Sequence, residues 1–145
     1  MSYHTWHNYG YGICVDDIQE QSVQRLQALL KLAPKLDGKI RAWLSGLSVT
    51  EPDWDDYMEF DQTFYLGLAT ILQQVIEEVD GLCLTACDDS SGRTYLIYQP
   101  RYPWEITEKE RDLTEDKLNE LFSRYVNILT DDPIEIDAQE VENGG

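Results

Sequence analysis

Residues 82–100 read LCLTACDDSSGRTYLIYQP, and the reading of this stretch decides the fold class. LCLTAC and TYLIYQP are short runs of aliphatic, aromatic and β-branched residues, while DDSSGR between them collects turn formers around Gly92. Two such runs about a glycine-containing turn predict a β-hairpin. A further strand is predicted over residues 9–16, YGYGICVD, where Tyr9, Tyr11, Ile13 and Val15 recur at period two. Gly10 and Gly12 weaken that strand and point to a bulge or a close backbone approach.

Between these strands the spacing is helical. Ser22 is placed to cap a helix bearing Val23, Leu26, Leu29 and Leu30; Pro34 opens the next, with Leu36, Ile40, Trp43 and Leu44, which is expected to stop at Gly46. A longer helix is expected from about Asp61 to Val79, its apolar face running from Phe64 to Val79 and its stop at Gly81. After the hairpin, Thr114 opens a final helix carrying Leu118, Leu121, Phe122, Tyr125, Val126 and Leu129. The alternation in IEIDAQEV then predicts a last, edge strand, and residues 139–145 read as a flexible tail. The expected fold is α+β: one domain over residues 1–145, about four mainly antiparallel strands against about four helices, in the order β-α-α-α-β-β-α-β.

The chain has 145 residues, enough to bury a core without staples, and a formal net charge of -17. Such charge repels nucleic acid and anionic membranes and attracts basic surfaces. It is unevenly placed: residues 1–50 hold four acids and five bases, residues 51–145 hold 24 acids and six bases. A hydrophobic content of 42% is too high for an acidic disordered chain. Three cysteines with no CxxC pair argue against a disulfide framework and fit a reducing compartment. The N-terminus lacks the pattern of a signal peptide, and no apolar run approaches the roughly 18 residues of a membrane span. The expected setting is the cytoplasm.

The densest acidic stretch is residues 51–61, EPDWDDYMEFD, with six carboxylates in eleven positions and no base. It fails as an EF-hand, because Met58 and Phe64 stand where the loop requires Gly and Glu. As a catalytic pair the carboxylates have no companion motif. As a binding surface they are better suited: on a helical turn, acids three and four apart sit about 5–6 Å from one another, a spacing comparable to that of neighbouring phosphates. The residues singled out for partner binding are Asp53, Asp55, Asp56, Glu59 and Asp61, with Trp54 and Tyr57 as apolar anchors. The bland reading makes the stretch a solvated linker with its aromatics in the core. Glu77, Glu78 and Asp80 at the end of one helix, and Asp131 and Asp132 at the end of another, oppose the helix dipole and so call for a reason beyond their own helices.

A metal reading rests on His4 and His7, which a helical face would bring together, with Cys14 or a carboxylate completing the set. Cys83 and Cys87 on one strand would lie about 13 Å apart, too far to share an ion. No nucleophile motif and no phosphate loop is present, no cofactor is indicated, and Cys14 has no base beyond the two histidines. The chain is expected not to be an enzyme.

Small size, strong acidity, an undecorated α+β body and the absence of a catalytic motif together resemble the acidic inhibitors of bacterial defence carried by phages and mobile elements, of the anti-CRISPR and antirestriction DNA-mimic type. The resemblance is in overall character and matches no motif. It implies a basic, nucleic-acid-binding protein partner inside a bacterial host, such as a CRISPR effector or restriction enzyme, with no direct binding of nucleic acid. The alternatives are a zinc protein built on the N-terminal histidines and an interaction module of a larger assembly.

Overall fold

The computed structural model describes residues 5–18, 22–60, 67–99 and 113–144, and of residues 5–9 and 142–144 the backbone alone. Four strands, β1 (Thr5–Cys14), β2 (Thr85–Asp88), β3 (Thr94–Tyr98) and β4 (Asp137–Gly144), form one antiparallel sheet in the order β2-β3-β1-β4. Five helices accompany it: α1 (Val23–Leu30), α2 (Pro34–Gly46), α3 (Trp54–Met58), α4 (Leu68–Asp80) and α5 (Glu115–Leu129). The class is α+β, as expected; α3 is the helix that the expected order lacked.

The hairpin forms where residues 82–100 predict it. Its turn closes through Gly92, whose φ of 84° suits glycine, and through the Asp89 carboxylate, which accepts from the Ser91 and Arg93 backbone N–H groups at 2.9 and 3.0 Å. Register sets the two faces of the sheet. Ile13, Leu96 and Ala86 lie in one row across β1, β3 and β2 and face the helices, where Ile13 and Leu96 are fully buried. Gly12, Ile97 and Thr85 lie in the neighbouring row on the opposite face.

The sheet is strongly curled. In a flat sheet of this order β2 and β4 would stand about 14 Å apart, yet they approach within 8 Å. Gly10 and Gly12 permit this, because a Cβ at Gly12 would meet the Leu96 carbonyl oxygen at 2.1 Å and one at Gly10 the Tyr98 carbonyl oxygen at 2.5 Å. Of the two expectations for these glycines, close approach is the one realised, since the β1–β3 register runs without interruption. β4 pairs with β1 as far as Thr5↔Gly144. Residues 139–144, expected as a tail, thus continue a ladder.

Helix ends follow local chemistry. Ser22 and Thr114 accept from the backbone N–H groups of Arg25 and Lys117, both at 3.2 Å, and so cap α1 and α5. α4 ends on Gly81 in the left-handed region, φ 69°. Its first turn begins at Leu68 rather than near Asp61; residues 61–66 lie outside the described residues. α2 does not stop at Gly46 as such. Its left-handed residue is Ser48, φ 61°, and the Ser48 and Val49 N–H groups return to the Ser45 and Leu44 carbonyls. That pair of bonds is a Schellman closure with serine in the place glycine usually takes.

An acidic shelf on a short helix

Within EPDWDDYMEFD the structure makes a helix of one turn and a half. Asp53 is its N-cap: its carboxylate accepts from the Asp56 N–H, and the Asp56 carboxylate accepts from the Asp53 N–H, both at 2.9 Å. This reciprocal capping box gives a short helix a fixed start, which a five-residue segment needs because helix nucleation is unfavourable by itself. Trp54 and Tyr57, three residues apart, share one face of α3 and turn into the core, 8% and 5% exposed. The Tyr57 hydroxyl accepts from Gln27 Nε2 at 3.2 Å. Phe60 packs edge-on against Trp43 of α2, with ring centroids 5.6 Å apart.

The expected site residues therefore separate. Trp54 and Tyr57 root α3 in the core and do not project as anchors. Asp53 and Asp56 hold the capping box. Asp55 and Glu59 are exposed, four apart, and have no hydrogen-bond or ion-pair partner among the described residues; Glu51, just before the helix, is the same. Asp61 lies outside the described residues. The signal that separates them is the spacing Trp54, Tyr57, Phe60, a period of three that marks a buried helical face.

The other acidic clusters resolve differently. The Glu78 carboxylate accepts from the Lys35 and Leu36 backbone N–H groups at 3.1 and 3.0 Å, which makes it the cap of α2. Asp80 accepts from the buried Tyr125 hydroxyl and pairs with Arg124 at 3.4 Å. Burial, and then this contact with Asp80, push the Tyr125 phenol well above its ordinary range. Each acid opposes the dipole of α4, at a cost of about 0.3–1 kcal/mol. Hydrogen bonds to a charged group contribute about 1.5–3 kcal/mol each, so the tertiary bonds win. Asp131, past the end of α5, pairs with Arg25 at 2.7 Å. Asp16 binds Thr94 through its N–H and its hydroxyl, and Asp17 pairs with Arg93. At the outer face of α5, Glu115, Asp116 and Glu120 are exposed and, like Asp55, have no partner among the described residues.

For a metal, β1 is decisive in one respect. His7 and Cys14 are seven residues apart on one strand, so their backbones lie roughly 23 Å apart, and Cys14 cannot join His7 around one ion. The strand also replaces the helical face that would have brought His4 and His7 together; His4 and the His7 side chain are outside the described residues. Among the described residues no group of three or more His, Cys, Asp or Glu is disposed to hold an ion. Cys14, Tyr95 and Cys87 form a row on the face of the sheet away from the helices. Burial raises the Cys14 thiol; burial, with Asp88 and Asp89 adding, raises that of Cys87 to about 11. A nucleophilic thiol requires the opposite shift.

No described helix is long and apolar enough to cross a membrane. The chain matches no family model, and no curated protein or solved structure matches it.

Proposed function

We propose that this chain is an acidic binding protein that occupies a basic, nucleic-acid-handling surface of a partner protein and blocks access of nucleic acid to it. It acts by binding rather than catalysis, in the cytoplasm of a bacterial host, on a target such as a CRISPR effector or restriction enzyme. The observation that carries this reading is the set Glu51, Asp55 and Glu59, exposed and without a partner among the described residues, on a helix that Trp54 and Tyr57 anchor from beneath. Carboxylates held this way lose little freedom on meeting Arg or Lys, which lowers the entropic cost of a charge-assisted contact. The exposed acids of α5 extend the negative surface, and the field of the whole chain favours encounter with a basic partner.

The test is affinity capture from bacterial lysate on the immobilised protein, at low and at high salt, with duplex DNA as competitor. Retention of a nucleic-acid enzyme at low salt, with release by salt and by DNA, is the expected outcome. Recovery of no such enzyme, or of one indifferent to salt and DNA, counts against the reading.

A further inference from the structure

Beside α3, the helices α1 and α2 and the loop 47–52 leave a groove of about 250 Å³. Its floor is Leu44, Val49, Pro52 and the Tyr57 ring, and Arg41 stands at its rim. Pockets for drug-sized ligands occupy roughly 300–1,000 Å³, so this volume suits one side chain better than a metabolite. The polar groups around it already have partners: the Tyr57 hydroxyl holds Gln27 at 3.2 Å, and the Arg41 guanidinium holds Asp37 at 3.1 Å. What remains open is apolar. Its wall is fixed by the turn at Ser48, where the Val49 N–H binds the Leu44 carbonyl at 3.0 Å. Thr50 and Pro52, which line one side, alternate along the chain with the exposed carboxylates of Glu51 and Asp53, and Asp55 follows.

An apolar slot with carboxylates along one lip selects one kind of occupant, an aliphatic or aromatic side chain flanked by Lys or Arg. We propose that the groove receives such a side chain from the basic segment of the partner. The inference rests on the reading of a basic partner given above, and it inverts the sequence expectation: the apolar anchor comes from the partner, and this chain supplies the slot.

The test is an NMR titration of the ¹⁵N-labelled protein with the blocked peptide Lys-Arg-Leu-Arg-Lys, with its Leu→Ala analogue and with an analogue in which Glu replaces every base. The leucine peptide is expected to shift the amides of Leu44, Val49, Thr50 and Tyr57 saturably. The alanine peptide is expected to bind roughly tenfold more weakly, as loss of most of one buried aliphatic side chain implies. Thr50→Trp, at an exposed lining position, fills the slot and abolishes those shifts, while Thr50→Ser leaves them. Shifts confined to residues 51–59 and equal for the leucine and alanine peptides overturn the groove and leave the acidic-surface reading standing. Groove shifts that survive in the Glu peptide overturn the charged lip and count against the acidic-surface reading too. No shift with any peptide overturns the groove, and the capture experiment then judges the acidic surface alone.

Discussion

At the end of α4, Glu78 and Asp80 are bonded to the backbone of α2 and to the buried hydroxyl of α5, whereas on α3 Asp55 and Glu59 project with no partner among the described residues. In sequence the two segments look alike, each a run of acids without a base. Glu78 and Asp80 complete hydrogen bonds that the fold would otherwise leave open, and removing them damages the protein. Asp55 and Glu59 complete nothing internal and, in a chain of formal net charge -17, add self-repulsion. Acidity is thus two populations, one spent on architecture and one left for a partner.

The largest effect that sharpens this division concerns the aromatics between the acids. Trp54→Ala is expected to destabilise the fold by about 3–5 kcal/mol, as truncation of a buried aromatic does, measured by urea unfolding. A stable variant that merely loses partner binding would return Trp54 to the surface. Asp80→Ala leaves the Tyr125 hydroxyl buried without its acceptor and should cost about 1–3 kcal/mol; Tyr125→Phe in the same background should restore part of it. Glu78→Ala uncaps α2, with an expected loss of about 0.5–2 kcal/mol and faster amide exchange at Lys35 and Leu36.

A smaller, pH-dependent effect attaches to the hairpin. Partial burial opposes ionisation of Asp89, but bonds from the Arg93 and Ser91 backbone and the Tyr95 hydroxyl outweigh it and hold its carboxyl below the usual 3.8. A lowered folded value means that the stabilisation is present above the ordinary pKa and disappears as pH falls through the folded one. Asp89→Asn should therefore be less stable than the parent at neutral pH, and the two melting curves should converge in strong acid. A gap that persists there would assign the loss to packing of the turn.

Much of the fold is legible in the sequence because it rests on local periodicity. The apolar spacing of α1, α2 and α5, the caps Ser22 and Thr114, and the turn residues of the hairpin all act within a few positions of themselves. α3 is too short for periodicity to announce it, although the reciprocal acids three apart, Asp53 and Asp56, are a local signal for it. The end of α2 misleads, since Gly46 draws the eye while Ser48 adopts the left-handed conformation. The tasks of Glu78 and Asp80 are invisible in sequence, because their partners lie more than 40 positions away. The same limit hid the curl of the sheet, which depends on what faces Gly10 and Gly12 across the ladder. Of the expected site, the exposed acids Asp55 and Glu59 keep the role assigned to them as a proposal, while Trp54, Tyr57, Asp53 and Asp56 have structural work. A charge reversal meant to probe binding should for that reason spare Asp53 and Asp56.

One measurement bears most directly on the division. The triple variant Glu51→Lys, Asp55→Lys, Glu59→Lys is compared with the parent in urea unfolding and in salt-dependent capture of the partner. Unfolding free energy unchanged to within about 0.5 kcal/mol, or higher through relief of self-repulsion, together with lost capture, is the predicted result. A variant that unfolds readily, or one that captures its partner as the parent does, would contradict the account.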